Sequence, residues 1–212
     1  MKPLSDCLLY AFVDTAYLDG RSPEVVARQL CDGGADLIQL RAKTSSSDEI
    51  RRMAESILAI TRPAGAGLVV NDHFQVACDV GADFCHLGQE DFFQAGFVRV
   101  SQLPVIGSRP RIGLSSHAQD QARRAMAAGA DYIAIGPVHS TPTKPGARPV
   151  TLDYVRWAAA NVDIPWFAIG GITLQNLDEL LAAGARRICV VSAILRAPDV
   201  TKACADFRKR LA

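Results

Sequence analysis

Net charge is nearly absent: 23 lysines and arginines face 22 aspartates and glutamates, a formal net charge of +1. A broad basic face for nucleic acid or anionic lipid is therefore not expected, and any anion site must be built locally. The six cysteines, Cys7, Cys31, Cys78, Cys85, Cys189 and Cys204, contain no C-x-x-C or C-x-x-H spacing, which removes the usual zinc and dithiol redox arrangements. Cys85 and Cys189 sit inside apolar runs and read as small buried hydrophobes. Such thiols suit a reducing cytosol, so a cytoplasmic location is expected. No uncharged stretch approaches the roughly eighteen apolar residues that would span a bilayer, and no membrane partner is expected. The opening MKPLSDCLLYAFVD places Asp6 and Asp14 around a short apolar run and lacks a small-residue cleavage site; it reads as a first strand, not a leader. A strand-to-helix G-x-G-x-x-G is also missing, which disfavours an open, doubly wound dinucleotide fold.

What is present is repetition. GGADLIQL (33–40), VGADFCHL (80–87), AGADYIAI (128–135) and AGARRICV (183–190) each place a glycine after an Ala-rich amphipathic run and before an apolar one. A glycine there ends a helix in the left-handed conformation, so each copy reads helix, stop, strand. The spacings between Gly34, Gly81, Gly129 and Gly184 are 47, 48 and 55 residues, each suited to two βα units with short loops. Filling the intervals gives strands at 8–14, 35–41, 67–72, 82–88, 111–116, 130–138, 164–170 and 186–192. Helices are predicted at 22–33, 46–61, 73–80, 118–128, 151–160, 173–183 and 199–211, with Ser22 and Thr173 as caps. The strands are almost continuously apolar, as parallel strands covered on both faces must be. Strict alternation over eight strands closes into a single (β/α)8 TIM barrel, with 1–212 as one catalytic domain.

In such a barrel the chemistry lies on the rim that follows the strands. The second strand ends in Gln39-Leu40-Arg41-Ala42-Lys43, the third in Asn71-Asp72, and the fourth leads to Asp91. The fifth ends at Ser115-Ser116-His117, and the sixth empties into HSTPTKPGARP. The seventh and eighth end at Gly170-Gly171 and Val191-Ser192. Gly171 and Ser192, expected just before helix starts, are suited to offering amides to a phosphate. Asp72 and Asp91, from adjacent strands, suit Mg²⁺, and Arg41, Lys43 and Lys144 would surround the same mouth and neutralise a diphosphate. His73 reads as a helix start, His86 as a hydrogen-bonded residue inside the barrel, and His117 and His139 as rim residues with no zinc spacing.

The motifs QLRAK (39–43), VND (70–72), GADFCHLGQED (81–91), GLSSH (113–117), ADYIAIGPVHSTPTK (130–144), AIGGIT (168–173) and VVSAIL (190–195) resemble, in order and spacing, those of the thiamine phosphate synthase family along nearly the whole chain. The resemblance implies a transferase joining 4-amino-2-methyl-5-(diphosphooxymethyl)pyrimidine to hydroxyethylthiazole phosphate, or its carboxylated form, with release of pyrophosphate. It implies that Gln39, Leu40, Arg41, Ala42 and Lys43, with Asn71, Ser115 and Lys144, hold the pyrimidine diphosphate, with Arg41, Lys43, Ser115 and Lys144 acting in catalysis. Asp72 and Asp91 would bind Mg²⁺. Thr141, Pro142, Thr143, Gly171, Val191 and Ser192 would hold the thiazole phosphate. The partners are then phosphorylated small molecules, and a homo-oligomer is left open. The stretch from Phe92 to Arg111 is longer and less regular than is usual in the family. His139 replaces a common aromatic, and Arg148-Pro149-Val150 replaces a small, glycine-containing sequence. Two alternatives remain: a thiazole tautomerase on the same barrel, whose catalytic histidine would fall where this chain has Pro137, and a non-catalytic regulator that binds a phosphorylated ligand.

Overall fold

The computed structural model describes residues 1–141, 143, 146 and 148–211. Its strands are β1 (Leu9–Asp14), β2 (Leu37–Arg41), β3 (Gly67–Asn71), β4 (Phe84–Leu87), β5 (Arg111–Ser116), β6 (Tyr132–Ile135), β7 (Trp166–Ile169) and β8 (Ile188–Cys189). They pair in parallel, each with the next, and β8 pairs with β1 to close the barrel. The helices are α1 (Pro23–Asp32), α2 (Ser47–Ala64), α3 (Phe74–Val80), α4 (Gln119–Ala127), α5 (Thr151–Asn161), α6 (Leu177–Ala182), α7 (Ser192–Leu195) and α8 (Val200–Arg210).

The repeated glycines behave as the sequence requires: Gly34, Gly81, Gly129 and Gly184 have φ of 82°, 66°, 81° and 100°. Ser22 caps α1 by accepting from the Val25 amide. Thr173 does not cap a helix. It exchanges hydrogen bonds with Asn176 in a turn, and α6 begins only at Leu177. Gly171 therefore stands well before a helix start, and only Ser192 opens one, the short α7. Between β4 and β5 the long segment forms a π-helical turn at Glu90–Gln94 and a 3-10 turn at Val100–Gln102.

The aspartate of the repeated Gly-Ala-Asp phrase has a structural use. Asp36 accepts the amides of Leu8 and Leu9 at 2.6 and 2.9 Å. Asp83 accepts the Leu68 amide at 2.9 Å, and Asp131 the Ile112 amide at 2.7 Å. Each carboxylate thus stands just before an even strand and staples the start of the odd strand before it. All three lie on the barrel face opposite the rim, which explains their presence without catalysis. Asp36 is 8% exposed and also pairs with Lys2 at 2.6 Å. Asp36→Ala would strand two amides near the core, and is expected to cost about 2–4 kcal/mol. Urea unfolding measures this; a loss below about 0.5 kcal/mol, the level of an ordinary surface change, would refute the staple.

Candidate active site

One cavity opens at the ends of the strands. Gln39, Arg41, Asn71 and Ser115 line it from β2, β3 and β5. Thr141, Thr143, Gly170, Gly171, Val191 and Ser192 line it from the segments after β6, β7 and β8. In the closed order of eight strands, β2 and β3 stand across the lumen from β6 and β7. The cavity therefore has a side of polar side chains and a side built largely of backbone and small residues.

On the first side a hydrogen-bonded chain crosses the barrel floor, and its direction follows from its anionic end. The Asp72 carboxylate only accepts, so it receives Lys43 Nζ and, at 2.6 Å, Asn71 Nδ2. Asn71 Oδ1 then accepts from Gln39 Nε2 at 3.2 Å, and Gln39 Oε1 from the Tyr10 hydroxyl. Tyr10 has spent its one proton, so Tyr132, 3.1 Å away, donates to it. His86 Nδ1, 3.1 Å from Tyr132, must in turn be the protonated nitrogen. In the neutral ring this leaves Nε2 to accept from Ser115 Oγ, 3.0 Å away. Every donation from Ser115 onward runs toward Asp72. Burial pushes both tyrosine hydroxyls well above their ordinary pKa, so they remain protonated and able to donate. The expected barrel-facing place of His86 is the place found.

Arg41 projects into the cavity while its Nη1 pairs with Asp14 Oδ2 at 2.7 Å. Leu40 and Ala42 are 1% and 6% exposed, and Leu40 lies on the face of β2 alternate to that of Gln39 and Arg41. Lys43 is exposed beside Asp72. Asp91, on the π-helical turn, accepts from the Gly88 amide at 3.2 Å. A Cβ at residue 88 would lie 2.6 Å from that carboxylate, so a side chain there would displace Asp91 from its present position. Asp72 and Asp91 both act on Cys85, whose thiol is raised well above its ordinary pKa, by burial first and then by these charges. Asp72 directly follows β3 and Asp91 lies on the turn after β4, and such carboxylates suit Mg²⁺, which takes one or two of them and completes its shell with water and substrate phosphate. No gathering of three or more His, Cys, Asp or Glu that could hold a metal ion occurs among the described residues.

On the second side, Gly171 has φ 63°, and a Cβ there would fall 2.5 Å from Ser140 O. Glycine is thus what lets the segment after β6 lie against the end of β7, where Val138 and His139 donate to Ile169 O and Gly170 O at 2.8 and 3.1 Å. The amides of Gly171, Val191 and Ser192 have no acceptor among the described residues, and are available to an anion. His117 Nδ1 contacts Gly136 O, and His139 Nε2 lies 3.7 Å from Glu179. Pro142 and Lys144 lie outside the described residues.

Sequence reasoning overlooked Asp14, Tyr10 and Tyr132 as parts of this site. Asp14 had a signal, a carboxylate ending an otherwise apolar strand.

Residues 9–194 match the family model described as thiamine monophosphate synthase. The chain is similar to the thiamine-phosphate synthase of Thermus thermophilus, at 46% identity over 187 residues covering 84% of each chain. It is also similar to that of Acidothermus cellulolyticus, at 44% identity over 211 residues covering 99% of this chain and 97% of the relative. Among solved structures, the thiamine phosphate pyrophosphorylase from Pyrococcus furiosus superposes with a TM-score of 0.86 at 32% identity, covering 98% and 96% of the two chains.

Proposed function

The chain belongs to the thiamine monophosphate synthase family, and we propose that it is a thiamine-phosphate synthase whose cavity binds the two substrates on its two opposed sides. The pyrimidine diphosphate lies against Gln39, Arg41, Asn71 and Ser115, with Lys43 and Lys144 at its anionic end. The thiazole phosphate takes the amides of Gly171, Val191 and Ser192 and the hydroxyls of Thr141 and Thr143, with Pro142 assigned to the same substrate. The observation that carries this reading is the single cavity shared by both sets of described lining residues.

The reaction breaks the bond between the pyrimidine methylene carbon and the diphosphate oxygen, and the electron pair leaves with the diphosphate. The electron-rich aminopyrimidine carries the positive charge left behind. The thiazole nitrogen then donates its lone pair to that carbon, forming the new bond. Arg41, Lys43 and Lys144 stabilise charge that grows on the leaving group, which is where preorganised electrostatics lowers a barrier most. Asp72 and Asp91 would hold Mg²⁺, which when bound supplies further positive charge to the diphosphate. The anchored thiazole phosphate fixes the nucleophile, so proximity supplies much of the rest. No protein nucleophile is needed, in keeping with thiols at Cys85 and Cys189 that burial holds protonated.

Purified protein supplied with both substrates and Mg²⁺ should release one pyrophosphate for each thiamine phosphate formed. Isomerisation of a thiazole carboxylate phosphate with no pyrophosphate release would instead support the tautomerase, and ligand binding with neither product would support the regulator.

A further inference from the structure

We propose that the turn after β1 is a strut that registers the two halves of the site, with Asp14 positioning Arg41 at one end and Tyr17 positioning Thr143 at the other. The proposal rests on the reading of the two sides given above. Neither Asp14 nor Tyr17 is needed to contact a substrate for this; both act through a neighbour.

The barrel order shows why a strut is needed. β1 stands between β8 and β2, whereas β6 lies beyond β7 and β8. The segment after β6 therefore has to reach across the rim to meet the turn after β1. It does meet it: the Tyr17 hydroxyl lies 3.1 Å from Thr143 Oγ1. Among the described residues the other restraint on Thr143 is local, its amide donating to Thr141 Oγ1 at 3.3 Å. Tyr17 itself is well fixed. It is 6% exposed, and its carbonyl accepts from Arg21 Nη2 at 2.7 Å. The same nitrogen donates to Leu195 O at 2.9 Å, tying the turn to α7. The Arg196 guanidinium lies over the Tyr17 ring at 4.9 Å.

At the other end, Asp14 is 1% exposed and uses both carboxylate oxygens. Oδ1 accepts the Ala16 amide at 3.0 Å and so caps the 3-10 turn Thr15–Tyr17. Oδ2 takes Arg41 Nη1 at 2.7 Å. A buried negative charge beside a cavity meant for a diphosphate weakens anion binding unless it does something else. Here it leaves Arg41 one orientation, and one residue thereby sets both the arginine and the start of the turn that carries Tyr17.

Three variants test the strut in the full chain, with kcat and KM measured for each substrate. Tyr17→Phe keeps the ring and its Arg196 contact and removes only the hydroxyl. It is expected to raise KM for thiazole phosphate by about 3- to 10-fold, with less than about a 2-fold change in KM for the pyrimidine diphosphate. In a Thr143→Val background, Tyr17→Phe is expected to add little, because the same contact is already gone. Asp14→Asn keeps an oxygen for the Ala16 amide and loses the charge that holds Arg41. It is expected to lower kcat/KM for the pyrimidine diphosphate by about 10-fold or more. A purely structural role would lower thermal stability and leave these ratios alone, which would overturn the proposal. So would improved diphosphate binding in Asp14→Asn, the result of simple charge removal. An unaltered protein that makes no thiamine phosphate would defeat the parent reading and the strut with it, whereas an active protein indifferent to Tyr17→Phe would defeat the strut alone.

Discussion

Asp72→Ala is expected to reduce pyrophosphate release by about 100- to 1,000-fold at saturating substrates and Mg²⁺, the cost of removing one preorganised electrostatic element from a site of this kind. Two losses combine in it. The carboxylate is one of the two groups proposed to hold Mg²⁺, and it is also the acceptor that Lys43 and Asn71 share. Without that acceptor the Asn71 amide keeps only its contact with Gln39, and the ordered donations through Gln39, Tyr10, Tyr132 and His86 lose their anionic endpoint. EDTA on the unaltered protein separates the two, since it leaves the carboxylate in place. It is expected to suppress turnover strongly and reversibly, with activity returned by Mg²⁺. Full activity in EDTA would remove the metal from the proposal, and near-normal turnover by Asp72→Ala in Mg²⁺ would remove Asp72 from the site.

The barrel was readable because each step of its construction leaves a local mark. Gly34, Gly81, Gly129 and Gly184 sit where a left-handed residue must end a helix, and the apolar runs after them are strands covered on both faces. The rim residues were readable because polar side chains at the ends of apolar strands have few other uses. What escaped did so for physical reasons. Tyr10 and Tyr132 lie inside apolar runs, and a tyrosine facing the lumen has the same sequence signature as one packed in the core. Asp14 and Tyr17 act through partners far along the chain, Arg41 and Thr143, which no periodicity records. Thr173 looked like a helix cap because the Thr-x-x-Asn pairing uses the same side-chain chemistry as a cap, and only the backbone that follows distinguishes the two. The helix α7 is too short to show a 3.6-residue period.

Arg41→Ala carries the second large effect, and it joins activity to stability. Arg41 is the partner of a carboxylate that is 1% exposed, while its own side chain is 17% exposed. Removing one member of a buried pair leaves the other charged and without its partner, which costs about 3–5 kcal/mol when burial is complete. The residual exposure of Arg41 reduces that to about 2–3 kcal/mol. The same substitution removes a cation proposed to stabilise the departing diphosphate, for a loss of about 100- to 1,000-fold in kcat/KM. The double variant Asp14→Asn with Arg41→Ala pulls these apart. Neutralising the stranded carboxylate is expected to restore most of the lost unfolding free energy, read by urea denaturation, because Asn still accepts the Ala16 amide. Activity is expected to remain as low as in Arg41→Ala alone, since no cation has been returned to the cavity. Recovery of activity along with stability would mean that Arg41 serves only to neutralise Asp14, and that the charge on the leaving group is met elsewhere.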